Sequence, residues 1–399
     1  MNKQPGKNLI TTLKDSIVNV MCHMARWFIK VDDRVVVFYS LPDYSDNAKA
    51  LYQYMMANGY DKKYDIYFAA ENPAQCELLH GDEARFISFY GKKWGLSLKG
   101  FATIMKARYL LYTHSGPFPL TNRKGLKGQL QVNLWHGCGY KGATISADFV
   151  PPYDLVLAPG DLHVMPMTGF WNVGPDHVIA CGYPRYDWLL HPSEKARRLR
   201  EEYLARASKL VIWMPTFRID KKGQLNQTEN IKQFPLIATN DQWRDLDTLC
   251  RNLGVKLLVK LHQLQTDYDI DFDSMSNIVL ITNNDLDKNG VNLYEFLANT
   301  DALITDYSSV AIDYLVVDKP MSFALEDYDS YNEARGFVFD DPLQYMPGHH
   351  LYGKPDLEQF LRDVAAGNDP YIAHRERVRK LAIHPSQCYS ESVLKALGL

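Results

Sequence analysis

Polar residues of the kind that move protons or hold anions recur at one kind of place in this sequence, just after an apolar run. QVNLWH leads into GCGYKG, which sets His136, Gly137 and Lys141 close together. KLVIWMP leads into Thr216 and Arg218, and VKLLVKLH carries Lys260 and ends on His262. DALITD ends on Asp306 and runs on through Tyr307 to Ser308 and Ser309, while RGFVFD opens on Arg335. An imidazole titrates near pH ~6.5, so a histidine at such a position can take a proton from a hydroxyl. Hydroxyls, free amides at a helix start and a guanidinium fork all suit a phosphate. The chemistry indicated is proton removal beside an anion clamp.

Each of these residues also has a plainer reading. Ser308 can serve only as the N-cap of the helix expected over SVAIDYLVV. His136 can simply tie down its glycine-rich loop, and His262 needs a fold to bring it near anything. Arg335 can pair with Glu326, Asp327 or Asp329 on the surface. Asp306 reads as a residue that caps or orients its turn. Other chemistries lack their spacing. Neither H-x-x-x-H nor H-E-x-x-H occurs, so no metal is expected. No G-x-x-x-x-G-K-S/T occurs, which removes the main support for an ATPase. No required cofactor is expected.

Placing such groups at strand ends is what a parallel α/β fold does. Apolar runs at 34–40, 64–70, 107–113, 131–136 and 153–159 alternate with helical patterns such as 46–58. A charged helical segment at 191–208 then precedes a second series at 209–215, 255–262, 276–282, 301–306 and 320–325. Continuous apolar strands between helices predict parallel sheets covered on both faces. Two doubly wound sheets fit the 399 residues, and the cleft between them is the expected site. Residues 8–30 have helical periodicity, with Ile10, Leu13, Ile17, Val20, Met21, Met24, Trp27 and Phe28 on one stripe. Flanking lysines and Trp27 suit a helix lying on a membrane, although packing on the protein itself would give the same pattern.

Composition narrows the class. The net charge of −3, from 44 basic and 47 acidic residues, provides no global field for nucleic acid. The six cysteines form no C-x-x-C pair, which reads as reduced thiols in the cytoplasm. The N-terminal apolar stretch is interrupted by Lys14, Asp15, Asn19, His23 and Arg26, so it is neither a signal sequence nor a spanning helix.

The ordered set WHG…KG, GYPRYD (182–187), PTFR (215–218), KLH (260–262), DALITDYSSVAIDYLVVDKP (301–320) and DYDSYNEARGFVFD (327–340) resembles the CDP-glycerol glycerophosphotransferase family of teichoic-acid and capsule synthesis. The match runs from about residue 130 to 340. WHGCGYKG stands where the commoner pattern is WHGTPLKxxG, and KLHQ lacks the usual proline. The resemblance implies a GT-B architecture of two Rossmann-like domains. The expected division is a membrane-associating helix (1–30), an acceptor-side domain (31–195), a CDP-polyol-binding domain (196–375) and a C-terminal helical segment (376–399) packing back on the first domain.

The implied reaction passes glycerol phosphate or ribitol phosphate from a CDP-polyol to a hydroxyl of a polyprenyl-linked saccharide or growing polymer, releasing CMP. His136 is then the base and His262 a second catalytic histidine. Ser308, Ser309, Arg335, Thr216, Arg218 and Asp306 fall on the donor side, with Gly137 and Lys141 on the acceptor side. Such proteins sit peripherally on the cytoplasmic face of the membrane. Two other readings stand beside this one: a GT-B glycosyltransferase or epimerase using a UDP-sugar, and a non-catalytic membrane assembly protein.

Overall fold

The computed structural model describes residues 20–22, 24–25, 27–81, 84–88, 97–114, 127–142, 153–215, 234–261 and 270–399. The first sheet contains β1 (Asp32–Tyr39), β2 (Asp65–Ala69), β3 (Phe86–Ile87), β4 (Ala107–Tyr112), β5 (Leu130–Asn133), β6 (Leu155–Ala158) and β7 (Val178–Ala180). Its order is β3-β2-β1-β4-β5-β6-β7, and every pairing is parallel. The second sheet contains β8 (Lys209–Trp213), β9 (Val255–Lys260), β10 (Ile278–Ile281), β11 (Ala302–Thr305), β12 (Met321–Ala324) and β13 (His349–Leu351). Its order is β10-β9-β8-β11-β12-β13, again wholly parallel. The direction of winding reverses between β1 and β4 in one sheet and between β8 and β11 in the other. A doubly wound sheet opens a crevice at these points.

The strands form as their sequences require. All four residues of β11 and of β12 are buried, as are Val35–Phe38 of β1, because helices cover both faces. The helix Asn240–Leu253 shows how a cover is made. A capping box between Thr239 and Gln242 starts it, and Gly254 in the left-handed conformation stops it. Its Trp243, Leu246 and Cys250 face inward. One buried cluster continues through both sheets, from Phe38 and Leu111 by way of Tyr140, Tyr183 and Tyr307 to Phe323. The C-terminal helices Ile372–Ala382 and Tyr389–Leu397 return to the first sheet. His384 N–H donates to Pro159 O at 2.7 Å, and Asp187 accepts from the Tyr389 and Ser390 amides at 2.6 and 2.9 Å.

Three expectations change. The strand expected over 131–136 ends at Asn133, because Trp135 takes a left-handed φ of 56° and turns the chain. The helix expected over SVAIDYLVV spans only Val310–Tyr314 and gives way to turns ending at Asp318, whose φ is 52°. Strands β3, β7 and β13 were not expected, being only two or three residues long. Residues 8–19, 23 and 26 of the N-terminal helical pattern lie outside the described residues. In the described part, Cys22 and Ala25 are buried in a cluster with Val35, Phe101 and Ile104. Val20, Met24, Trp27 and Phe28 face outward, with Trp27 87% exposed.

Candidate functional site

The WHGCG turn leaves β5 under constraint. A tryptophan at positive φ is strained, and the surroundings hold it there. Asn133 Oδ1 accepts the Trp135 amide at 2.9 Å, while Asn47 Nδ2 donates to Leu134 O and Trp135 O at 3.1 and 2.8 Å. The strained turn throws His136 toward the end of β4. Its Nδ1 lies 3.1 Å from Thr113 O, and a carbonyl only accepts, so Nδ1 carries the proton. The neutral ring therefore keeps its Nε2 lone pair open. The ring is held on one side by His114, at 4.0 Å and 4° from parallel, and tilted against Trp135, also at 4.0 Å. Burial, then the neighbouring His114, push the His136 pKa down to about 4, against the opposing pull of the Thr113 bond and Asp46. The resting imidazole is uncharged at neutral pH.

Arg185, from GYPRYD, fixes this turn from below and is wholly buried. Its Nη1 donates to Asp46 at 2.7 Å and to His136 O at 2.8 Å, and its Nη2 donates to Asp313 at 2.6 Å. Asp313 belongs to the helix Val310–Tyr314 that follows the serines, so one guanidinium joins the turn that carries His136 to the second sheet. Tyr186 and Tyr294 donate to the same carboxylate at 2.8 and 3.2 Å. Burial opposes the arginine's charge, but Asp313 and Asp46 outweigh it and hold the pKa well above its usual value.

The two halves then meet backbone to backbone. A β-carbon on Gly137 would lie 2.7 Å from Ser309 Oγ, and one on Gly139 would lie 2.9 Å from Ser309 N. Only glycine allows this approach. Further along, Val338 N–H donates to Tyr140 O and Gly142 N–H to Gly336 O, both at 2.9 Å, with Lys141 opposite Phe337. The segment carrying Arg335 is thereby stitched to the segment carrying His136.

On the second sheet, Asp306 and Tyr307 are buried while Ser308 and Ser309 are half-buried. The Tyr307 hydroxyl donates to Asp327 at 3.0 Å and its ring stacks on Tyr331 at 4.1 Å, which anchors the helix ahead of Arg335. Ser309 occupies the cap position of Val310–Tyr314 but makes no side-chain capping bond. The plain capping role is therefore not the one its hydroxyl performs, and a helix of five residues contributes little dipole. Arg335 is exposed. Glu326 accepts the Leu236 amide at 2.7 Å and Asp327 accepts Tyr307.

Of the residues singled out in the sequence, His136, Gly137, Lys141, Ser308, Ser309 and Arg335 converge, with Asp306 buried beneath them. His262, Thr216 and Arg218 lie outside the described residues. Sequence reading missed Asp46, His114, Arg185 and Asp313. Two of these carried a signal: Arg185 sits between two tyrosines, and Asp313 interrupts an apolar run. Lys260 was noted but given no role. It is buried at the end of β9, and burial, countered by Asp287, brings its pKa down to about 8. Cys138 is not a nucleophile, because burial pushes its thiol up to about 12. Among the described residues no cluster of three or more His, Cys, Asp or Glu could hold a metal ion. A groove of 680 Å³ opens beyond Gly142, walled by Leu162, Met165, Phe170, Phe337 and Tyr345, with Asp340 and Asp341 on its rim.

This arrangement can be set beside known proteins. The teichoic acid poly(ribitol-phosphate) polymerase of Bacillus spizizenii is 31% identical over 310 residues, covering 68% of this chain and 45% of the polymerase. This chain thus spans just under half of that relative's length. The teichoic acid glycerol-phosphate transferase of Staphylococcus aureus is 22% identical over 371 residues, covering 83% of this chain and 84% of the transferase. The structure of a variant of the wall teichoic acid polymerase TagF soaked with CDPG superposes with a TM-score of 0.69, at 18% identity and 98% coverage of both chains. The fold is the two-domain GT-B type. The profile of one family runs from residue 21 to residue 385, and the chain belongs to it: the CDP-Glycerol:Poly(glycerophosphate) glycerophosphotransferases.

Proposed function

We propose that this chain transfers glycerol phosphate or ribitol phosphate from a CDP-polyol to a hydroxyl of a polyprenyl-linked saccharide or teichoic-acid chain, releasing CMP. The observation that carries this reading is the seam at Gly137, where the turn that carries the uncharged His136 from one sheet meets Ser309 from the other. His136 Nε2 takes the proton of the acceptor hydroxyl as its oxygen attacks the β-phosphorus. The bond to the α-phosphate oxygen breaks, and CMP departs. Ser308, Ser309 and Arg335 stabilise charge on the transferring phosphoryl group, where positioning and electrostatics supply most of the rate. His262, Thr216 and Arg218 complete the donor side in this reading, and buried Asp306 orients the turn. Lys141 and the groove beyond Gly142 face the acceptor. Aromatic walls with two acids and no cation among the lining residues suit a neutral saccharide better than a phosphate.

The test measures CMP release from CDP-glycerol, CDP-ribitol and a UDP-sugar control with a synthetic lipid-linked disaccharide, followed by product mass spectrometry. We expect turnover with a CDP-polyol and a loss of about 10²–10⁴-fold in His136→Ala. Near wild-type turnover in that variant would remove the base assignment, and turnover with the UDP-sugar alone would favour the glycosyltransferase reading.

The outward row Val20, Met24, Trp27 and Phe28 supports peripheral attachment to the cytoplasmic face of the membrane. No helix among the described residues is long and apolar enough to cross a membrane. Replacing Trp27 and Phe28 by serine should lower co-sedimentation with anionic liposomes while leaving CMP release from a soluble acceptor analogue intact. Unchanged sedimentation would contradict attachment through this row.

A further inference from the structure

The base is not alone. His114, the second residue after β4, lies flat against His136, with ring centroids 4.0 Å apart and planes 4° from parallel. Its own Nδ1 is 3.0 Å from the Thr113 hydroxyl, while the Thr113 carbonyl takes His136 Nδ1. One dipeptide thus supplies both the hydrogen bond that sets the tautomer of His136 and the surface that sets its plane. Both rings are half-buried, and two parallel imidazoles at this distance cannot both carry charge cheaply.

We propose that His114 is a positioning residue that fixes the plane of His136 and resists its protonation, so that the base accepts a proton only when an anionic donor occupies the cleft. This rests on the reading of His136 as the base and adds a control upon it. The charged groups facing the pair are Asp46, at the start of the helix after β1, and Arg185, ahead of the helix Tyr186–Leu190; Asp313 of the second sheet lies behind Arg185. These acids are tied to Arg185 and leave the stacked rings without a dedicated counter-ion. Burial lowers the pKa of both rings. Ser308 and Ser309 themselves bring no charge, so a bound pyrophosphate adds negative charge on the open side of the cleft. Such a neighbour raises the proton affinity of an imidazole. A resting base that is too weak is strengthened by the donor it is meant to serve.

The experiment follows the His136 ring by NMR in the isotope-labelled full chain, its signals assigned by their loss in His136→Gln. Each sample is titrated from pH 8 downward, with and without CDP. In the wild type the midpoint should lie well below ~6.5 and rise when CDP is added. His114→Phe keeps a flat aromatic partner and deletes the competing charge. His114→Gln serves as a second variant should the first fold poorly. Both should raise the CDP-free midpoint by about half a unit or more and carry the acid limb of kcat/KM to higher pH by a similar amount. A merely structural ring would lower kcat without moving either midpoint. An unmoved midpoint in a folded variant overturns the inference, as does a wild-type midpoint indifferent to CDP. The titration needs no turnover, so it is read independently of the base assignment. An active His136→Ala variant alongside a shifted midpoint would remove the base role and leave the coupling standing.

Discussion

At the carboxyl end of the seven-stranded sheet the polar groups are tied to one another, whereas at the six-stranded sheet several are held in reserve. On the first side, Asn133, Asn47, Thr113 and Arg185 all terminate on the turn that carries His136. On the second, Ser309 caps nothing with its side chain, Arg335 is exposed, and Lys260 is buried at a strand end without an ion pair among the described residues. In the proposed reading, the difference matches the two demands of phosphoryl transfer. A base must have a fixed tautomer and a fixed direction, which requires its neighbours to be saturated. An anion clamp must keep donors unused until the anion arrives. The fold assigns one demand to each sheet and joins them through Arg185.

Breaking that joint should have the largest consequence. Arg185→Met strands Asp46 and Asp313 in the interior, and removing one partner of a buried ion pair typically costs about 3–5 kcal/mol. The urea midpoint should fall accordingly, and CMP release should be lost even where the chain remains folded. A variant with an unchanged midpoint would show that the two sheets do not depend on this guanidinium.

A smaller change sharpens the contrast from the other side. Arg335→Lys keeps the charge and loses the two-pronged geometry, so kcat/KM for the donor should drop by about tenfold. Because the base turn is untouched, the acid limb of the rate profile and the urea midpoint should stay where they are. If the acid limb moved with Arg335, the division of labour between the sheets would be wrong.

Much of this was legible before any coordinates. Buried parallel strands leave unmistakable apolar runs, and polar residues at their ends stand out against them, which is how His136, Ser308 and Ser309 were singled out, while Arg335 stood ahead of an aromatic run. What was illegible depends on long-range pairing. His114 looks unremarkable in YTHSG until β4 and β5 are neighbours. Asp313 is an oddity in an apolar helix until Arg185, 128 residues away, is brought to it. The strand boundary at Asn133 was missed because the left-handed Trp135 is imposed by Asn47 and Asn133, and local propensity argues against it.

The glycine seam has a consequence for how such an enzyme can diversify. In the proposed reading, the close approach of Gly137 and Gly139 to Ser309 lets main-chain geometry set how near the turn that carries His136 comes to the serine turn, and a side chain at either glycine would force the two apart. Variation in what is joined to what must therefore arise at a distance from the seam, in the walls that greet the incoming alcohol and the cradle that grips the nucleotide, while the span across which the reaction occurs stays constant.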